Sequence, residues 1–139
     1  MRIFLDTNIL LDVYLSRPGI TESARVISAS GEPWNEGFVA VHTLSNAFYI
    51  IQRQLDHNKA WEFIRDILAW VEVADIPTTE AKRTQQMGMR DFEDALQIAA
   101  AEYCAADIIV TRNLRDFNGK TGILVSLPEN FIDQPPSPE

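Results

Sequence analysis

Five short apolar runs punctuate the chain, at Arg2–Leu5, Gly37–Val41, Val71–Ile76, Asp107–Thr111 and Gly122–Val125. Each is four to six residues long and rich in Ile, Val or Phe. That is the composition of strands buried on both faces of a parallel sheet. The stretches between them carry a helical period. "NILLDVYLS" follows the first run, and "TESARVISAS" opens with a Thr in cap position and stops at Gly31. "HTLSNAFYIIQRQL" aligns Leu44, Ala47, Phe48, Ile51 and Leu55, and "NKAWEFIRDILAW" aligns Trp61, Ile64, Ile67 and Leu68. "TTEAKRTQQMG" again begins at a Thr cap, and "DFEDALQIAAAEYCAA" is the last long helix, with Phe92, Ala95, Leu96, Ala99 and Tyr103 on its apolar arc. Alternating strands and helices imply right-handed crossovers, hence an α/β fold with a central parallel sheet of about five strands and helices on both faces. Residues 1–133 are expected to form one domain, and the Pro-rich tail 134–139 to be disordered.

In an open α/β sheet, ligands bind beyond the carboxyl ends of the strands. Asp6 stands at that end of the first strand, followed by Thr7 and Asn8. A crossover helix starts near the same edge, which brings the head of "DFEDALQIAA" there. Asp91 and Asp94 lie three apart and project side by side, while Glu93 points away from both. The strand that follows that helix ends in "TRNLRDF", which places Arg112, Asn113, Arg115 and Asp116 at the edge too. A plain alternative exists for each group: Asp91 as a helix cap, Thr7 as a cap, "RNLRD" as a polar loop. Together, unpaired carboxylates at close range push one another's pKa upward, and a hard divalent cation relieves that. Mg²⁺ and Mn²⁺ take oxygen ligands, and the two histidines and one cysteine are not spaced as a zinc site.

Charge and composition alter this picture in two respects. The formal net charge of −8 opposes non-specific binding to nucleic acid, so any such binding must rest on local fields. Nine of the twelve basic residues are Arg, the side chain suited to bidentate phosphate contact. Arg112 and Arg115 flank the edge loop, and Arg53 follows Asn46 by seven residues on one helix face, which makes all three candidate phosphate contacts. Cys104, the single cysteine, sits in "AAAEYCAA" and reads as a small buried thiol in a reducing compartment. No apolar run has membrane-spanning length and no secretory signal is visible, so a cytoplasmic location is expected.

Three segments, "FLDTNILLD", "DFEDALQIAAAE" and "IIVTRNLRDF", together resemble the PIN-domain ribonucleases, specifically the small toxins of VapC type. The closing "VSLPENF" is similar as well, so the resemblance runs from Arg2 to about Phe131. It implies a three-layer α/β fold, Mg²⁺- or Mn²⁺-dependent cleavage of RNA, an antitoxin protein as partner, and a homodimer. Carried over by residue, it implies that Asp6 is the first metal-site acid, Asp94 the acid opening the Ala-rich helix, and Asp116, or Asn113 beside it, the last. One position departs: the family carries a Glu in the helix after the second strand, where this chain has Asn46. Asp91, one turn before Asp94, offers a replacement carboxylate.

Two rival readings stay open at this point. Asn46 suits a PIN-fold binding module without catalysis. A phosphatase-like or receiver-like domain would use Asp6 for phosphoryl transfer, but "DTN" lacks the second acid of a D-x-D loop and no Lys ends a late strand. Asp12 is expected to face solvent. Trp34, Trp61, Phe63 and Trp70 are expected in the core, with the helix of Trp61 and Trp70 as a possible face for a dimer or an antitoxin helix.

Overall fold

The computed structural model describes residues 1–138. In chain order its elements are β1 (Arg2–Leu5), α1 (Thr7–Tyr14), α2 (Ile20–Ser30), β2 (Glu36–Ala40), α3 (Val41–Gln54), α4 (His57–Trp70), β3 (Glu72–Ala74), α5 (Thr78–Arg83), α6 (Phe92–Tyr103), β4 (Ile108–Val110), α7 (Leu114–Phe117) and β5 (Leu124–Ser126). All neighbouring strands pair in parallel, in the order β3-β2-β1-β4-β5. The result is the expected three-layer α/β fold. The alternation of side chains along each strand builds its two cores. Ile3, Leu5, Val39, Ile108 and Val110 point to the face covered by α1 to α4. Phe4, Phe38, Ala40 and Ile109 point to the other, where the alanine-rich side of α6 and Phe117 of α7 cover them.

Several local expectations are corrected. The third strand is only Glu72–Ala74, because Val71 caps the end of α4, its N–H donating to the Ile67 carbonyl at 3.0 Å. The fifth strand is Leu124–Ser126 rather than Gly122–Val125, set by pairing with Ile108–Val110. Neither Thr21 nor Thr78 caps a helix: Gly19, with φ +92°, precedes α2, and Pro77 precedes α5. The side-chain caps are instead Asp56 on α4 and Asp91 on α6. On α4 the buried stripe is Ala60, Phe63 and Ile67, while Trp61, Leu68 and Trp70 are exposed. Trp61 packs edge-on against Phe48 with ring centres 5.2 Å apart, outside the sheet layer. On α6 Phe92 and Tyr103 are exposed and the alanines take the inner side; Leu55, just past α3, is also exposed.

Gly37 lets β2 come close to α2, since a Cβ there would come within 2.8 Å of Ser30 Cβ. At the far end of the chain, Asp133 accepts hydrogen bonds from Trp34 Nε1 at 3.1 Å and Asn35 Nδ2 at 2.8 Å. Residues 134–138 carry no secondary structure, and Glu139, part of the segment expected to be disordered, lies outside the described residues. Among the described residues no helix is long and apolar enough to cross a membrane.

Candidate active site

Asp6 is held from three sides. Its N–H donates to the Val110 carbonyl at 3.1 Å, which extends the β1–β4 pairing by one residue past the strand. Its carboxylate accepts from Gln97 Nε2 at 2.9 Å through one oxygen and from Thr111 Oγ1 at 2.7 Å through the other. Both donors come from elements about 90 or more positions away in sequence, and Asp6 is only 2% exposed. Gln97 turns its Oε1 to accept the Thr7 N–H at 3.2 Å, so one amide fixes both residues of the turn. Thr7 is neither a cap nor exposed to a ligand: it is buried, and its hydroxyl shares a 2.8 Å hydrogen bond with that of Thr43. Asn8 is exposed and accepts from Arg17 at 3.3 Å.

The second cluster joins α6 to the loop after β4. Asp91 Oδ1 accepts the Asp94 N–H at 3.0 Å, which is the N-cap of α6. Asn113 Nδ2 donates to Asp116 Oδ2 at 2.9 Å and to Asp94 Oδ2 at 3.3 Å, so a neutral amide stands between two acids. Asn113 N–H donates to Thr111 Oγ1 at 3.0 Å, which ties this loop to the Asp6 network. The Asp94 carboxyl is pushed up to about 7, first by burial and then by Asp91, Asp6, Glu93 and Asp116. Glu93, next to Asp94 in sequence, adds to the negative charge that Asp94 feels. Among the described residues, Asp6, Asp91, Asp94 and Asp116 form no ion pair with Lys or Arg.

On the facing helix, α3 begins where β2 ends, so its first turn lies at the same edge. His42 is half-buried there with Nε2 sealed and without a hydrogen-bond partner. Burial lowers its pKa, against the pull of Glu93 and Asp6. Asn46, one turn on and half-buried, shares that side of α3. His42, Thr43, Gln97 and Thr111 escape the sequence reading. The available signal was a polar residue inside an apolar stretch, most plainly Gln97 within "DALQIAAA".

The arginines divide. Arg115 is exposed beside Asp91, Asp94 and Asp116, on the wall of one pocket. Arg112 turns inward, with Nε on Asp12 and Nη2 on the Gly19 carbonyl at 3.0 Å. Asp12 is therefore no solvent-facing acid: it is 3% exposed and also accepts from Ser23 Oγ at 2.8 Å. Arg53 sits seven residues further along α3, on the order of 10 Å of helix rise from Asn46, with its guanidinium over Tyr49.

The donor chemistry of this edge fits a hard divalent cation: oxygen donors, crowded negative charge and no cationic partner. The side-chain geometry does not gather it. Among the described residues no three of His, Cys, Asp and Glu stand together as a ligand group. Both oxygens of Asp6 are engaged by protein donors, and the Asn113 amide separates Asp94 from Asp116.

One consequence is measurable without any ligand. A carboxyl raised from 3.8 to about 7 binds its proton more tightly in the folded state. Between those values the unfolded chain binds fewer protons, so the stabilising contribution is complete near pH 4 and is lost as pH rises towards 7. Urea unfolding at pH 5 and pH 7.5 is expected to show wild type losing stability relative to Asp94→Asn across this window. An equal pH response in the two proteins would contradict the crowding.

Comparison with known proteins agrees with this architecture. No curated protein matches in sequence at a significant level. The DNA-bound VapBC structure from Salmonella typhimurium is similar with a TM-score of 0.73 at 19% identity, over 92% of this chain and 98% of that one. VapBC2 from Rickettsia felis, bound to a promoter DNA fragment, is similar with a TM-score of 0.70 at 16% identity, over 90% and 97%. A toxin–antitoxin complex from Klebsiella pneumoniae is similar with a TM-score of 0.68 at 23% identity, over 91% and 97%. At these identities the likeness shows the fold. The sequence family described as PIN domain matches residues 2–115, most of the chain and both acidic clusters up to Arg115. This chain belongs to the PIN-domain family.

Proposed function

We propose that the protein is a metal-dependent endoribonuclease and the toxin of a toxin–antitoxin pair, working in the cytoplasm as a homodimer held in check by an antitoxin protein. The observation that carries this reading is that Asp6, Asp91, Asp94 and Asp116 all stand at the carboxyl edge of the sheet, none in an ion pair among the described residues, and that burial together with these neighbouring acids pushes the Asp94 carboxyl up to about 7. Mg²⁺ or Mn²⁺, when bound, supplies neutralisation of phosphoryl charge and a more acidic water. Asp6, Asp94 and Asp116 are the residues to hold it, with Asp91 behind Asp94 in place of the Glu that Asn46 replaces. The protein's own part is orientation. Gln97 and Thr111 fix the Asp6 carboxylate in one position, and Asn113 sets the distance between Asp94 and Asp116. A carboxylate of this edge that is left off the cation would be placed to accept a proton. Labelled RNA incubated with the purified protein should yield internal cleavage fragments with Mn²⁺ or Mg²⁺ and none with EDTA. Intact RNA under both conditions would overturn the assignment.

A second reading is favoured by two specific observations, Asn46 and the ungathered acids: a PIN-fold binding module without catalysis. Calorimetric titration separates the two. Absence of Mn²⁺ binding at millimolar metal supports the module, and saturable binding that Asp94→Asn removes supports the nuclease.

A further inference from the structure

Beside the acidic cluster lies a pocket of about 210 Å³ whose walls carry Arg90, Arg115 and Lys120 together with Asp91, Asp94 and Asp116. Three cations and three acids around so small a space would be expected to pair. Among the described residues they do not: no salt bridge involves Arg90, Arg115 or Lys120. The one bond from these three groups among the described residues is Lys120 Nζ to the carbonyl of Gly88, another residue of the pocket wall, at 3.3 Å. All three cations are exposed, as is Phe92, the residue after Asp91, with 65% of its surface open at the head of α6. In a chain of net charge −8, these three cations offset the three acids that share the pocket and, being unpaired, leave their donors open to an anion.

We propose that Arg90, Arg115 and Lys120 form a subsite for the backbone phosphates of single-stranded RNA next to the bond being cut, with Phe92 as a stacking surface for an adjoining base. The proposal deepens the nuclease reading and rests on it. The cations that meet RNA are then those free at the pocket, not Arg112, whose guanidinium is spent on Asp12 and Gly19. An exposed aromatic beside a short cationic track is the arrangement by which proteins bind single strands without reading sequence. Duplex RNA keeps its bases stacked inside and gains nothing from Phe92.

The test is fluorescence anisotropy of a short labelled single-stranded RNA in EDTA, with a salt titration. On single strands each phosphate contact contributes about 0.7 to the slope of log K against log salt. Arg90→Ala, Arg115→Ala and Lys120→Ala are each expected to reduce that slope by about 0.7, and the triple variant by about 2. Arg115→Lys should keep it, and so should Lys59→Ala, whose lysine pairs with Glu62 on α4. Phe92→Ala should weaken binding fivefold or more at unchanged slope, and only for single strands. Wild-type slope and affinity in the triple variant, or no salt-dependent binding by the wild type, would overturn the subsite. Cleavage with Mn²⁺ is read separately. Loss of slope in the triple variant without cleavage by the wild type keeps the subsite and removes the nuclease reading; cleavage by the wild type with an unchanged slope removes the subsite alone.

Discussion

Asp94→Asn is expected to lower metal-dependent RNA cleavage by about 10²–10⁴-fold while making the protein more stable at neutral pH. The two effects share one cause. Asp94 is half-buried among Asp91, Asp6, Glu93 and Asp116, and its negative charge is resisted by all of them. An amide of the same shape removes the repulsion, keeps an oxygen towards Asn113, and abolishes the charge that draws a cation. Asp6→Asn should cost as much activity but the opposite in stability. Its two oxygens accept from Gln97 and Thr111, and an amide NH₂ turned towards either replaces an acceptor with a donor. Hydrogen bonds to a charged group contribute about 1.5–3 kcal/mol, so Asp6→Asn should destabilise by about that amount. Initial rates on labelled RNA and urea unfolding of the same preparations check both halves. Wild-type rates in both variants would end the nuclease assignment, and a destabilised Asp94→Asn would end the account of its charge. Gain of stability on loss of a functional charge is the usual trade at a site held against its own repulsion.

What the sequence makes legible follows from how each feature is encoded. The sheet is readable because Ile3, Phe4 and Leu5 are all apolar, as a strand covered on both faces requires. The placement of Asp6, Asp94 and Asp116 at one edge follows from topology, since parallel strands and antiparallel crossover helices leave no other end for them. The face of α4 is not readable. Ala60, Phe63 and Ile67 make one apolar stripe and Trp61, Ile64 and Leu68 another, both at helical spacing. Hydrophobic periodicity does not say which stripe meets the sheet and which packs on Phe48 of α3. Gln97 is hidden for a different reason: its partners, Asp6 and the Thr7 N–H, are about 90 residues away, and no local rule anticipates a buried amide that joins them.

Arg112→Met is expected to destabilise the fold by about 3–5 kcal/mol, a large share of the roughly 5–15 kcal/mol that holds a domain together. The reason lies in a contact spanning 100 positions of sequence, Arg112 Nε on Asp12 Oδ2. The same guanidinium donates to the Gly19 carbonyl at 3.0 Å and to Ser23 Oγ at 3.3 Å. It occupies the space where a side chain at residue 19 would stand, and the φ of +92° at Gly19 already disfavours one. Methionine fills much of the volume but leaves Asp12, whose side chain is 5% exposed, charged and supported by Ser23 alone. The pair is asymmetric. Arg112 keeps 32% of its side chain in solvent, so Asp12→Asn strands a cation that water still reaches and should cost less than Arg112→Met. Asp12→Leu combined with Arg112→Met should recover much of the loss, because removing both charges leaves no charge buried and unpaired. Urea midpoints of the three proteins measure this. A free phosphate contact at position 112 would behave otherwise: Arg112→Met would leave stability within about 0.5 kcal/mol of wild type and weaken RNA binding instead.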